Sequence, residues 1–128
     1  MADDATPAGI TGRRVLLVED EFPVLLLIEE MLLSLGCEIT ETASNLPDAV
    51  KRARECSVDV AVLDINLAGQ KVYPAAALLR KRGIPIVFST GYGLTGIEPE
   101  WAHYPVVQKP YAMEQLRQGL AMAIARAA

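Results

Sequence analysis

The chain has 128 residues, enough for one domain with a single core and too few for two. Its 52% hydrophobic and 22% charged residues are typical of a globular protein, and a net charge of −4 without a basic stripe argues against nucleic-acid binding. No apolar segment reaches the roughly 18–20 residues that span a bilayer, and residues 1–12 lack the apolar core of a signal peptide. We therefore expect a cytoplasmic protein without membrane partners, with a flexible tail at 1–12 and one domain over 13–128.

The apolar pattern predicts strands and helices that alternate along the chain. The predicted strands are 15–18, 37–42, 58–63, 84–88 and 105–108. The predicted helices run over about 22–35, from a cap at Ser44 or Asn45 through Ala53, over 74–82 and over about 113–125. This alternation predicts an α/β fold, a doubly wound five-stranded parallel sheet with helices on both faces.

Glycine and proline interrupt the segment 91–104, where the alternation would place a further helix. The segment contains Gly91, Gly93, Gly96 and Pro99. Each interior glycine costs a helix about 1 kcal/mol and an interior proline about 3 kcal/mol. We therefore predict a degenerate fourth helix of at most one turn, near 98–102, with Trp101 packing this segment onto the core.

Polar residues stand at the ends of four predicted strands. Glu19 and Asp20 follow the first strand, Asp64 ends the third, Thr90 follows the fourth and Lys109 follows the fifth. The carboxyl ends of parallel strands gather at one edge of the sheet, where doubly wound folds place their sites. We therefore expect three carboxylates, a hydroxyl and an ammonium to converge there.

These groups indicate a metal and phosphoryl site. Three neighbouring carboxylates repel one another unless a cation neutralises them, and oxygen ligands suit Mg²⁺. The pattern places no histidine or cysteine nearby, which disfavours zinc. Asp64 can then act as a carboxylate nucleophile towards phosphorus, with Lys109 and Thr90 assisting electrostatically.

Four motifs at these strand ends together resemble the receiver domain of two-component response regulators. They are Glu19-Asp20-Glu21 after the first strand, Leu63-Asp64 at the end of the third, Thr90 after the fourth, and Lys109-Pro110-Tyr111 after the fifth. The resemblance covers residues 13 to about 125 and implies a flavodoxin-like strand order, 2-1-3-4-5. Residues 88–93 are also similar to the signature of the FATGUY subgroup of stand-alone receivers, with Ser89 in place of the usual alanine.

The resemblance implies specific roles for these residues. Asp64 would accept a phosphoryl group from a histidine kinase or a histidine phosphotransfer protein. Asp20 and Asp64 would bind Mg²⁺ directly, Glu19 through water, and Asn66 through its backbone carbonyl.

It also implies that Thr90 and Lys109 bind phosphoryl oxygens. The chain would be a single-domain regulator in a phosphorelay, a monomer or weak dimer that signals through protein contacts and is not an enzyme. Val106 stands where receivers typically have an aromatic switch residue, and Tyr92 and Tyr104 are the candidates to replace it.

The first predicted helix has two leucines on its acidic side. At 100° per residue, Val24, Leu25, Leu27, Ile28, Met31, Leu32 and Leu35 fill a core-facing arc. Leu26 and Leu33 lie outside this arc, with Glu29 and Glu30. They are either ordinary exposed leucines or part of a surface for a partner helix.

Three other functions remain open from the sequence. The chain could be a phosphate sink, which receives phosphate without signalling, or a flavodoxin-like binding module without phosphotransfer, although Glu19-Asp20-Glu21 would repel a flavin phosphate unless a metal were present. A phosphatase with an aspartate nucleophile usually has a second Asp two residues after the first, where this chain has Asn66. Absence of flavin colour and of phosphomonoester turnover would exclude the last two.

Overall fold

A computed structural model describes residues 9–91 and 97–127. The strands are β1 (Arg14–Val18), β2 (Glu38–Ala43), β3 (Val60–Asp64), β4 (Asn66–Leu67), β5 (Gln70–Lys71), β6 (Ile86–Thr90) and β7 (Val106–Gln108). The helices are α1 (Phe22–Ser34), α2 (Leu46–Glu55), α3 (Tyr73–Lys81) and α4 (Met113–Ala127), with a 3₁₀ turn at Pro99–Trp101. None of the described helices has the length and apolar character needed to cross a bilayer.

Five strands form one parallel sheet in the order β2-β1-β3-β6-β7. Numbered among themselves, they have the order 2-1-3-4-5, so the predicted flavodoxin-like fold is confirmed. β3 lies at the centre and is buried along its whole length. β3 and β6 begin two residues later than predicted and include Asp64 and Thr90 as their last residues. The remaining two strands, β4 and β5, form a short antiparallel hairpin directly after Asp64.

The two faces of the sheet carry separate cores, because successive side chains of a strand point to opposite faces. On one face, Leu16, Leu63 and Phe88 pack with residues of α2 and α3. On the other face, residues such as Leu17 and Val62 pack with α1 and α4. The same alternation places the side chains of Glu19, Asp64 and Ser89 on the second face.

Local signals fix where the helices begin. A proline stands within the first two positions of α1, α2 and α3, where the fixed φ of proline suits a helix and its missing N–H costs nothing. Asn45 caps α2, with its side-chain oxygen accepting the Asp48 N–H at 2.8 Å. Of the two predicted caps, Asn45 is therefore the one used.

The predicted degenerate fourth helix is confirmed in the described residues 97–104, which contain only the 3₁₀ turn. Residues 92–96, with Gly93 and Gly96, lie outside the described part of the chain. Trp101 is buried, stacks on Tyr73 with ring centroids 5.8 Å apart, and meets the edge of Phe88 at 5.7 Å. The Arg80 guanidinium lies 4.1 Å from the centre of the Trp101 ring. Trp101 thus packs this segment onto the core, as predicted.

Two sequence-based expectations are wrong. Residues 9–12, expected to belong to a flexible tail, pack onto the body: Ile10 is 2% exposed within the core under α1 and α4, and the Gly12 N–H donates to the Gly36 carbonyl at 2.8 Å. Residues 1–8 lie outside the described part of the chain. Leu27, expected to face the core, is 50% exposed because α1 turns it towards an open cavity beside Asp64.

Candidate metal site at the carboxyl edge of the sheet

Three carboxylates meet at the carboxyl edge of the sheet. One oxygen from each of Glu19, Asp20 and Asp64 lies within 4.8 Å of the other two. Val18 pairs with Leu63 in the ladder between β1 and β3, so Glu19 and Asp64 occupy neighbouring positions on the same face. Glu19 is 1% exposed and Asp64 is 4% exposed, whereas Asp20 is half-buried. The predicted acidic cluster therefore forms, with two of its members inside the protein.

Lys109 bridges the two buried carboxylates. Its Nζ lies 3.2 Å from Glu19 Oε1 and 3.3 Å from Asp64 Oδ2. The backbone N–H of Lys109 donates to the Thr90 carbonyl at 2.7 Å, which fixes where the lysine leaves β7. One ammonium is thus shared between two carboxylates.

The electrostatic balance of the site remains negative. Burial, together with the charge of Glu19, raises the pKa of Asp64 from 3.8 to about 7, against the opposing effect of Lys109. Burial also raises the pKa of Glu19, although the Glu21 N–H and Lys109 both lower it. Burial alone would lower the pKa of Lys109, but Asp64 and Glu19 raise it, so the ammonium keeps its proton. A divalent cation would supply the positive charge that one lysine cannot.

The hairpin after Asp64 closes over the acidic cluster. The Ala68 N–H donates to Asp20 Oδ2 at 3.0 Å, and the Asn66 N–H reaches Asp64 Oδ1 at 3.4 Å. The side-chain oxygen of Asn66 accepts the Gly69 N–H at 2.9 Å and is therefore engaged in the turn. Ala68 has a φ of +52°, uncommon for a residue with a Cβ, and its hydrogen bond to Asp20 helps to hold it there.

Thr90 ends β6, the strand next to Asp64, and its side chain is buried. The neighbouring Ser89 pairs with Asp64 in the ladder, and its hydroxyl is buried. The Tyr111 hydroxyl is buried as well. Thr90 is thus on the predicted edge, and Ser89 and Tyr111, which belong to the same sequence motifs, add two buried hydroxyls.

A cavity of about 470 Å³ opens beside these groups. Asp20, Asp64 and Lys109 line one part of it, and Val24 and Leu27 of α1 line another. The apolar pattern of α1 assigned both α1 residues to the core, so this apolar wall was not predicted. The cavity gives the buried carboxylate of Asp64 a route to solvent.

The residues present fit a hard divalent cation. All three side chains of the cluster offer carboxylate oxygens, the ligands that Mg²⁺ prefers, and none offers nitrogen or sulfur. Asn66 lies two residues after Asp64 at the same edge and can add a carbonyl oxygen.

Comparison with known proteins identifies the family. The model of the response regulator receiver domain matches residues 15–121. This chain belongs to that family. It is a receiver domain of two-component signalling, and its sheet order and acidic cluster are those of the fold.

Two solved structures resemble this receiver domain over nearly all of their length. SdrG from Sphingomonas melonis Fr1 is 32% identical, with a TM-score of 0.76 over 93% of this chain and 98% of that one. The receiver domain of the sensor histidine kinase PA1611 from Pseudomonas aeruginosa PAO1 is 29% identical, with a TM-score of 0.77 over 90% of this chain and 99% of that one. The PA1611 domain has a magnesium ion coordinated in its active-site cleft.

A curated relative is longer. The transcriptional regulatory protein PdtaR from Mycobacterium tuberculosis is 29% identical over 129 aligned residues, which cover 98% of this chain and 60% of PdtaR. The receiver domain spans between 22% and 60% of the length of the curated relatives that it matches.

Proposed function

We propose that this receiver domain accepts a phosphoryl group on Asp64 in a Mg²⁺-dependent reaction, as a single-domain response regulator. The observation that carries the proposal is the buried carboxylate of Asp64, 3.3 Å from an ammonium and beside two further carboxylates. An acidic cluster of this kind has no evident structural use, because burying charges of one sign is costly without a cation.

The proposed Mg²⁺ ligands are Asp20 and Asp64 directly, Glu19 through water, and the backbone carbonyl of Asn66. The cation would neutralise the excess negative charge of the cluster and the charge of an incoming phosphoryl group. The magnesium ion in the cleft of the PA1611 receiver domain supports this assignment.

In the proposed reaction, a carboxylate oxygen of Asp64 attacks phosphorus, and the bond between phosphorus and the donor breaks. Lys109 keeps its proton and can move from Asp64 to a phosphoryl oxygen, since it already lies between the two buried carboxylates. Thr90, at the end of the neighbouring strand, would donate its hydroxyl to another oxygen.

The proposed donor is a histidine kinase or a histidine phosphotransfer protein. Leu26 and Leu33, both exposed on α1, support a protein partner, because α1 begins two residues after Asp20 and borders the cavity. The receiver domain would then act as a monomer or weak dimer and signal through protein contacts.

Phosphorylation by phosphoramidate, followed by separation on a phosphate-binding gel, tests the proposal. Label should require Mg²⁺, disappear with EDTA, and be absent from Asp64→Asn. Asp59→Asn is the matched control, because Asp59 precedes the same strand at its opposite end and pairs with Arg14. Label that persists on Asp64→Asn, or that ignores EDTA, would refute the assignment.

A further inference from the structure

The wall of the cavity beside Asp64 is apolar where the helix α1 forms it. Leu27 is 50% exposed and lines this wall with Val24 and Met31. Pro110 and Tyr111 line another part of the cavity. The transfer of a phosphoryl group does not need these apolar side chains. The phosphoryl group is charged and would lie beside Asp64, Lys109 and the proposed cation.

The composition of the lining defines the chemical class of the occupant. A volume of about 470 Å³ lies within the range of small-molecule sites, roughly 300–1,000 Å³. At one end of the cavity, Asp20, Asp64 and Lys109 suit an anionic group that is bound together with a divalent cation. At the other end, Val24, Leu27 and Met31 favour a hydrocarbon. Among the described residues that line the cavity, Lys109 is the only basic one, so no other is available to bind a further phosphate.

We propose that this cavity binds the hydrocarbon chain of aliphatic acyl phosphates and that these compounds phosphorylate Asp64 faster than acetyl phosphate does. This inference rests on the proposed function, since it takes Asp64 as the acceptor. The phosphorylated form of Asp64 is itself an acyl phosphate, so transfer from another acyl phosphate exchanges one mixed anhydride for a similar one. A bond forms between an Asp64 oxygen and phosphorus, the bond from phosphorus to the acyl oxygen breaks, and the donor leaves as an aliphatic carboxylate without any change in protons or electrons.

The expected preference follows from the burial of methylene groups. A fully buried methylene contributes about fourfold to binding, and one buried on a single side about twofold. Leu27 is open to solvent on one side, so the smaller factor applies. Butyryl phosphate, with two more methylenes than acetyl phosphate, should therefore react at least about fourfold faster at low donor concentration.

The test compares acetyl, butyryl and hexanoyl phosphate at equal low concentration in excess Mg²⁺, with phosphoramidate as a donor without a hydrocarbon chain. Leu27→Asn should reduce the ratio of butyryl to acetyl rates about twofold. Met122→Asn is the matched control, because Met122 is 47% exposed on α4, outside this cavity, and should leave the ratio unchanged.

A binding measurement separates the cavity from the chemistry. Butylphosphonate cannot transfer its phosphorus, and it should shift the backbone amide resonances of Val24, Leu27 and Met31 at lower concentration than methylphosphonate does.

The outcomes distinguish this inference from the proposed function. If phosphoramidate labels the protein but the rates with the three acyl phosphates do not depend on chain length, this inference alone is overturned. Absence of labelling with every donor would overturn the proposed function and this inference with it. If Leu27→Asn slowed transfer from a kinase but left the acyl ratio unchanged, the wall would belong to a protein partner and the inference would be wrong.

Discussion

Removal of the charge at Asp64 should stabilise the receiver domain when no divalent cation is present. Burial and Glu19 raise the pKa of Asp64 from 3.8 to about 7. A carboxyl group whose pKa is higher in the folded state stabilises the fold only while it is protonated. Its contribution is therefore complete below the unfolded pKa, near 4, and is lost as the pH rises towards 7. We expect Asp64→Asn, which keeps the shape and removes the charge, to unfold at higher urea concentration than wild type in EDTA at pH 7.5.

The size of the effect follows from the pKa difference. Each unit is equivalent to about 1.4 kcal/mol, so a rise from 3.8 to about 7 amounts to about 4 kcal/mol as an upper limit. Water in the open cavity beside Asp64 and adjustment of Lys109 screen part of this, and we expect about 1–3 kcal/mol at pH 7.5. Near pH 4 the difference between variant and wild type should fall below about 1 kcal/mol, because Asp64 is then largely protonated in the folded state.

Urea unfolding followed by Trp101 fluorescence measures this, at pH 4 and pH 7.5 with EDTA. Asp59→Asn provides a control of opposite sign: the hydrogen bond and charge of Arg14 lower the pKa of Asp59, so that variant should be destabilised at pH 7.5. Addition of Mg²⁺ should stabilise wild type more than Asp64→Asn, since the variant lacks one ligand of the proposed site. Equal or lower stability of Asp64→Asn in EDTA at pH 7.5 would refute the electrostatic account.

Three further predictions follow from described contacts. Ile10→Ala should lower the free energy of unfolding in urea by about 2–4 kcal/mol, whereas Leu33→Ala, at an exposed position, should lower it by no more than about 0.5 kcal/mol. Equal effects of the two variants would mean that Ile10 does not pack as described. Leu26→Lys and Leu33→Lys should each lower the rate of phosphotransfer from the cognate kinase relative to the rate with phosphoramidate, and an unchanged ratio would make both leucines ordinary surface residues. Burial raises the pKa of the Cys37 thiol to about 11, so at pH 8 it should react with a disulfide reagent only in the unfolded protein, and fast labelling of the folded protein would contradict this.

The fold and the acidic cluster could be predicted from sequence because their signals are local. An apolar run that ends in Asp64 indicates a buried strand with a carboxylate at its end. The alternation of strands and helices then predicts that the polar residues at the ends of the other strands lie beside it. The contacts among Glu19, Asp20, Asp64 and Lys109 follow from that topology, since parallel strands bring their carboxyl ends to one edge.

The features that were missed depend on contacts distant in sequence or on unusual turn chemistry. Ile10 is a lone apolar residue in a polar segment, so no periodicity marks it as core. The β4–β5 hairpin turns at Ala68 and Gly69, both with positive φ, and alanine at the first of these positions gives none of the signal that Asn-Gly would. Leu27 has helical spacing suited to the core, and only the cavity beside Asp64 accounts for its exposure.

The backbone hydrogen bond between Thr90 and Lys109 has a mechanical consequence. The Lys109 N–H donates to the Thr90 carbonyl at 2.7 Å, one step beyond the ladder pairing of Thr90 with Gln108. This hydrogen bond joins the two main chains directly, with no side chain in between. We therefore expect a displacement of Thr90 along its strand to act on the main chain that carries the lysine in the edge strand, and on the turn that leads into α4.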